Sequence, residues 1–271
     1  FDNADLVALL TGTPDPVVVP MLHGGLGEDG ALREVLGVLG IPFIGPSGAA
    51  SRLTFDKSIA TAVVRAAGIR TPDQIALPHD IFRELGAGAL MDGIGAQLGY
   101  PLMVKPSRSG SALGVAKVAD ASDLPASLVA AYAYGPTAVV ESYIEGTEIA
   151  VTVLDEGEGP YALPAIEIIP VSGIYDYESR YTAGATRFVT PPNLSEASLD
   201  AAGALAVAAH RALGLRHLSR IDIIVRDGEP VFLEANVAPG MTETSLAPLA
   251  IEAADRTLGN VFAGLIDLVR N

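Results

Sequence analysis

The sequence predicts a chain of mixed α/β and α+β class, opening with a parallel-sheet unit, and three observations predict it. Residues 17–45 run as apolar strand (VVVPML), Gly-rich turn (HGGLGEDG), helix (ALREVLGVLG) and short strand (IPFIG). That order reads as a βαβ unit with parallel strands. The middle of the chain sets short strands, PLMVKPS (101–107), GVAKV (114–118) and AVVESYI (138–144), between polar Gly-rich turns. Near the end, SRIDIIV (219–225) and PVFLEAN (230–236) flank Asp227-Gly228, a hairpin signature.

The remaining elements follow in order. The first helix, 31–40, ends on Gly40, and ligands of such a unit gather at the loops beyond the strand C-termini. A second helical stretch spans 51–68, ended by Gly68 with Pro72 beyond it. A helix fills 122–134, and EIAVTVL (148–154) and ALPAIEIIP (162–170) read as strands. Residues 171–193 are aperiodic, clustered in Tyr, Ser, Thr and Gly, and read as a long loop of the kind that serves as a lid. Helix 195–213 is Ala-rich, with Ser195 as N-cap and Gly214 past its end. The last helices are 245–254 and 256–269. Composition changes place boundaries near 55 and 145, giving segments 1–55, 56–144 and 145–271.

The 271 residues carry 17 Lys plus Arg against 32 Asp plus Glu, a formal charge of −15. So acidic a surface repels nucleic-acid backbones and anionic membranes, while a local cationic pocket still suffices for a nucleotide. Hydrophobic content of 49% argues against wholesale disorder. With no cysteine, disulfides, cysteine zinc sites, iron–sulfur clusters and thiol catalysis are excluded. No run of roughly 18 apolar residues could span a bilayer.

The hairpin carries the sharpest chemical signal. Glu234 and Asn236 lie two apart and share a strand face, and Asp222 interrupts an otherwise apolar strand. A two-residue turn pairs 225 with 230, sets 222 opposite 233 and sends the two acids to opposite faces. A three-residue loop with a bulge at Gly228 brings 222 opposite 234. If they converge, two carboxylates and an amide oxygen are hard ligands suited to Mg²⁺ with phosphate completing the shell. Otherwise they form a solvated polar strand face. The KPSRSGSALG stretch (105–114) has the glycines and small hydroxyls that let backbone N–H groups wrap phosphate, with Lys105 adding a point charge, or it is merely a turn. Neither GxxxxGK[ST] nor GxGxxG occurs. Lys57, in FDKSIA, sits early in the 51–68 helical stretch, where taken alone it reads as a surface lysine. Glu141 and Glu148 flank SYIEGT. Arg220 shares the face of Asp222, as a structural ion pair or an anion clamp. His23 sits in the first Gly-rich turn.

Seven stretches, HGGLGEDG (23–30), DK (56–57), VKPSRSGSALGV (104–115), ESYIEGTE (141–148), YDYESRY (175–181), SRID (219–222) and LEANVAPGMTETSL (233–246), resemble in order the D-alanine–D-alanine ligase family of ATP-grasp enzymes. The resemblance implies an ATP-grasp fold: an N-terminal parallel-sheet domain, then two antiparallel-sheet subdomains clasping ATP. It implies that Lys57 and Lys105 contact the phosphates under the 107–114 loop with Ser107, Gly110 and Ser111. Glu141 and the backbone at Ile144 would hold adenine, Glu148 ribose, and Arg180 would stand near the transferred phosphate. Asp222, Glu234 and Asn236 would bind two Mg²⁺, or Mn²⁺, with Glu234 bridging. Arg220 and the Gly240 N–H would form an oxyanion hole. Tyr181 and Ser245 would lie near the second substrate's carboxylate, and His23, Glu28 and Ser111 would frame the amino-acid pocket.

The implied activity is ATP-dependent joining of two D-alanines through an acyl phosphate, for peptidoglycan synthesis. It carries a cytoplasmic location, a homodimer and a lid at 171–193 that closes Tyr181 over the site. The presence of Tyr181 in YDYESRY resembles the dipeptide-forming branch. Alternatives are a ligase with another amino-acid or hydroxy-acid partner and a non-catalytic nucleotide-binding regulator. Departures are Ser109 where Glu is frequent, Ala112 where Ser is frequent, and Glu243-Thr244 in the GMTETS loop. The family's Gly-rich first strand-turn and its ammonium-binding glutamate have no counterpart in the chain, which opens on Phe1, so they are expected upstream of it together with a first strand and helix.

Overall fold

The computed structural model describes residues 3–110, 112–171, 173, 182 and 184–270. In chain order its helices are α1 (Asn3–Gly12), α2 (Ala31–Val38), α3 (Gly48–Phe55), α4 (Lys57–Ala66), α5 (Asp80–Leu85), α6 (Ala87–Leu98), α7 (Leu124–Tyr132), α8 (Glu196–Ala212), α9 (Leu246–Ala253) and α10 (Leu258–Arg270). The strands are β1 (Gln74–Pro78), β2 (Leu102–Pro106), β3 (Ala116–Val118), β4 (Thr137–Ser142), β5 (Thr147–Leu154), β6 (Tyr161–Ala162), β7 (Ile166–Pro170), β8 (Thr186–Val189), β9 (Leu218–Arg226) and β10 (Glu229–Asn236).

Among the described residues the strands form two antiparallel sheets. One is four-stranded, ordered β1-β4-β2-β3; the other runs β10-β9-β5-β7-β8, with β6 paired to β5. The parallel unit at the N-terminus is reduced to one parallel bridge, Val18 with Phe43, through Val18 N–H to the Pro42 carbonyl and Ile44 N–H to the Val18 carbonyl. Prolines at 16, 20, 42 and 46 lack the donors that would extend the ladder.

Alternation along the strands positions the site. In β5, Ile149, Val151 and Val153 face a core with Ile221, Ile223 and Val225 of β9. Ala202, Ala206 and Ala209 of α8 and Ala60 and Val64 of α4 close that face. The other face is divided along its length. Ala150, Leu154 and Leu218 pack under α9 and α10, while Arg220, Asp222 and Ile224 continue the same face as a polar surface. In the four-stranded sheet, Leu102, Val104, Ala138 and Val140 pack with Leu124, Leu128 and Ala131 of α7. Their strand neighbours Met103, Lys105 and Glu141 occupy the opposite face.

Several expected spans divide. The 51–68 helix is two helices, because the Asp56 backbone is extended (φ −88°, ψ 103°) while its carboxylate caps α4 through Ser58 N–H and Ile59 N–H. The 162–170 strand separates into β6 and β7, and β8 lies within the 171–193 stretch, paired to β7. Ser195 accepts the Ser198 N–H as N-cap of α8, and Gly214 takes φ +64° beyond its end.

Candidate active site

The turn at Asp227-Gly228 has two residues, both with positive φ (54° and 85°), so Arg226 pairs with Glu229 and Val225 with Pro230. That register would set Asp222 opposite Leu233. It does not persist, because the ladder shifts between Phe232 and Glu234 and Asp222 pairs with Glu234, Arg220 with Asn236. The extra residue is Leu233, in the body of the strand; the bulge expected at Gly228 is not there. A bulge moves every later side chain to the other face, so Glu234 and Asn236 join Asp222 on one side.

Charge pairs fill this face. Arg220 donates to both Asp222 oxygens, at 2.7 and 2.9 Å, in a buried bidentate pair. The expected oxyanion donor is thus held on a carboxylate through two of its N–H groups. Asn236 Oδ1 accepts the Ala238 N–H at 3.0 Å, which orients the amide. Lys57, first residue of α4, donates to the Ser109 carbonyl at 2.6 Å and stands 3.5 Å from Glu234 Oε2. Lys105 on β2 is buried and donates to Glu141 Oε1 at 2.6 Å.

Lys57, Lys105, Glu141, Asp222 and Glu234 line one cavity of about 370 Å³ between the two sheets, whereas Arg220 and Asn236 are not part of its lining. Lys105 and Glu141 enter from the four-stranded sheet, Glu148, Glu167, Asp222 and Glu234 from the other, and Ile144 from the segment joining them. Met103, Val115, Tyr143, Ile168 and Ile224 supply apolar wall. A slot with apolar walls and convergent charged groups suits a flat heterocycle with a charged tail. Among the described residues the lining holds five acids and two lysines. A triphosphate in so acidic a chamber needs divalent counter-charge. The donors fit that demand. No cluster of three or more His, Cys, Asp or Glu exists among the described residues, but Asp222 and Glu234 with the Asn236 amide oxygen are hard donors. Mg²⁺ is commonly held by one or two carboxylates together with substrate phosphates.

A second, smaller cavity of about 40 Å³ adjoins it, sharing Lys57, Ser109 and Glu234 and adding Glu28, Gly110 and Asn236. Glu28 is buried and accepts the Gly24 N–H at 2.7 Å. A Cβ placed on Gly240 would lie 2.6 Å from Ser245 Oγ and 4.0 Å from His23 Nε2, so these three expected residues meet. Ser107 is buried, and its hydroxyl donates to Asp56 Oδ1 at 2.6 Å, tying the 105–114 loop to the cap of α4. Its side chain is thereby committed to the scaffold. Ser111, Arg180 and Tyr181 lie outside the described residues, as does most of 174–183. Two features that position the site were not foreseen: the capping role of Asp56, noted in the sequence only within DK (56–57), and the Leu233 bulge, which no local residue announces.

The chain matches the family described as "D-ala D-ala ligase C-terminus" over residues 63–267. It is 38% identical over 248 residues to the D-alanine–D-alanine ligase of Pelotomaculum thermopropionicum, covering 91% of this chain and 78% of that protein. It is 38% identical over 271 residues to that of Desulforudis audaxviator, covering 99% and 86%. Among solved structures, the VanG D-Ala:D-Ser ligase from Enterococcus faecalis matches with TM-score 0.84 at 33% identity, covering 93% of this chain and 72% of that one. The D-alanine–D-alanine ligase from Bacillus anthracis complexed with ATP matches with TM-score 0.81 at 29% identity, covering 98% and 82%. No helix among the described residues is long and apolar enough to cross a membrane. With the paired antiparallel sheets and the cavity between them, these likenesses place the chain in the D-alanine–D-alanine ligase family, on the ATP-grasp fold.

Proposed function

We propose that this chain joins two D-alanines at the expense of ATP, and the observation that carries it is the convergence of Asp222 and Glu234 with Lys57 and Lys105 on one inter-sheet cavity. A carboxylate does not acylate an amine, because oxide is too poor a leaving group. In this reading the first D-alanine's carboxylate oxygen attacks the γ-phosphorus and ADP departs, leaving an acyl phosphate. The unprotonated amine of the second D-alanine attacks the carbonyl carbon, the oxyanion collapses with loss of phosphate, and nitrogen sheds its proton.

The residues divide the work. Met103, Ile168 and Ile224 would flank adenine, with Glu141 and the Ile144 backbone at its polar edge and Glu148 at the ribose. Lys57 and Lys105 would face the phosphates under the 107–114 loop, where Gly110 lets the backbone come close. Asp222, Glu234 and Asn236 would hold Mg²⁺, which when bound neutralises phosphate charge during phosphoryl transfer. Arg220, fixed on Asp222, and the Gly240 N–H would stabilise the oxyanion, an effect worth about 10²–10³ in rate per donor. Ser245 and His23, beside Gly240, would meet the second substrate, and Glu28 would shape the amino-acid side. Arg180, Ser111 and Tyr181 keep the phosphate, substrate and lid roles that the resemblance implies. The same reading carries a cytoplasmic location, a homodimer and a role in peptidoglycan precursor synthesis.

The test measures phosphate release and product mass with ATP, Mg²⁺ and a panel of D-alanine, D-serine, D-lactate and L-alanine. The expected result is phosphate release dependent on D-alanine, with the D-alanyl-D-alanine mass. Nucleotide binding with no release for any of the panel would sink the reading, and a D-serine product would move the second-substrate assignment toward the VanG-like activity.

A further inference from the structure

We propose that Arg33 is a positioning residue that registers the substrate-side turn 24–28 against the exit of β10, an inference that rests on the reading above. Arg33 lies on α2 and is 2% exposed, yet it belongs to neither cavity. Its Nη1 donates to the Gly27 carbonyl, next to Glu28. Its Nη2 reaches 3.4 Å from the Val237 carbonyl, next to Asn236 and three residues before Gly240. One planar group therefore reads a backbone carbonyl on each side of the smaller cavity.

The surroundings are built around this guanidinium. A Cβ on Gly45 would stand 3.5 Å from Arg33 Nε, an ordinary van der Waals distance, so the guanidinium packs directly beside that backbone. The Gly27 position admits no side chain, since its Cβ would lie 2.2 Å from the Leu22 carbonyl oxygen, and the turn is thus held in one path. Burial pushes the guanidinium below its ordinary value and the Arg216 charge adds to that, while the Glu28 carboxylate opposes both. Burying a cation costs free energy, and Nε has no partner. A side chain needed only for packing would be cheaper as an apolar residue. The planar fork matters instead, because it holds two carbonyls at a fixed separation, which a point charge cannot do. That separation sets the distance from Glu28 and His23, at the amino-acid side, to Asn236 and Gly240, at the metal and oxyanion side. Misplacement by about 1 Å can cost 10²-fold in rate.

The experiment compares native protein with Arg33→Met, which removes both donors, and Arg33→Gln, which keeps uncharged N–H donors. Two readouts are taken: hydrogen exchange by segment, and steady-state kinetics with affinity for a non-hydrolysable ATP analogue. Arg33→Met should raise exchange at least tenfold in 24–29 and 237–240 together, leaving β2 and β4 unchanged. It should lower turnover with D-alanine tenfold or more, with analogue affinity within twofold of native, and Arg33→Gln should recover part of both. The proposal is overturned if exchange rises uniformly across the chain, if only one segment loosens, or if analogue affinity and turnover fall together. If native protein binds nucleotide but turns over no D-amino acid, the functional reading fails, and the exchange pattern still decides whether Arg33 couples the two segments. Should Arg33→Met not fold, Arg33→Gln decides by the same paired-segment criterion.

Discussion

At the scale of single residues, the buried ion pairs set both stability and the character of the site. Lys105 and Glu141 are 8% and 5% exposed and 2.6 Å apart. Removing one partner strands a buried charge, so Lys105→Met should destabilise by about 3–5 kcal/mol. Removing both, as Lys105→Met with Glu141→Leu, should cost less, and denaturant midpoints of the native protein and the two variants measure the difference. Analogue binding should be lost in both variants, separating the role in the cavity from the role in the fold. Asp222→Asn should abolish the bidentate geometry with Arg220, and turnover should fall at least about 10²-fold. Asp222, Glu234, Asn236 and Lys105 stood out as candidates in the sequence because polar side chains in apolar strands or beside Gly-rich loops are costly unless used, whereas Lys57 entered only through the family resemblance. Arg33 was not legible: an arginine in an amphipathic helix reads as solvent-facing, and only the path of the 24–28 turn buries it.

At the scale of elements, two local devices bring those residues together. Asp56 ends α3, caps α4 and accepts the Ser107 hydroxyl, so a single carboxylate fixes Lys57 relative to the phosphate-side loop. Asp56→Ala should lower stability by about 1 kcal/mol through the cap and raise KM for ATP, whereas Asp56→Asn should retain most of the stability, as thermal melts and kinetics would record. The hairpin supplies the other device. Its type I′ turn was readable from Asp227-Gly228, but the convergence of the two acids depends on the Leu233 bulge, which turn chemistry does not encode. The bulge is specified by burial on both faces: Phe232 packs in the core with α8 and α4, while Glu234 must stay with Asp222 at the cavity. Helix and strand periodicity gave most of the remaining order, but α1, β1, α5 and α6 went unassigned, β8 lies inside the expected loop, and in the single-bridge N-terminal pair proline spacing overrode apolar strand patterning.

At the scale of the whole molecule, the N-terminal segment is joined to the large sheet through Gly45, whose N–H is accepted by His217 Nδ1 at 2.9 Å and whose carbonyl accepts from Arg216 Nε at 2.6 Å. Burial, reinforced by Arg216, lowers His217 to about 4, and burial likewise lowers His210, bonded to Ser219, to about 4. Both imidazoles are neutral when folded, and the unfolded chain binds more protons between about pH 4 and 6.5. Their contribution is therefore complete above about pH 6.5 and is lost as pH falls toward 4, on the order of 3 kcal/mol each. Urea midpoints from pH 7 to 4.5 should fall accordingly. His217→Asn should flatten the slope, since Asn tolerates the positive φ of 65° and offers an oxygen to Gly45.

The central claim is that the acids of β9 and β10 hold divalent counter-charge against a nucleotide facing Lys57 and Lys105. Calorimetric titration with a non-hydrolysable ATP analogue, with and without Mg²⁺, tests it most directly. Native protein should gain at least about 10²-fold in affinity from Mg²⁺, and the Asp222→Asn, Glu234→Gln double variant should gain almost nothing. Equal affinity with and without Mg²⁺ in the native protein, or an undiminished gain in the double variant, would contradict the account.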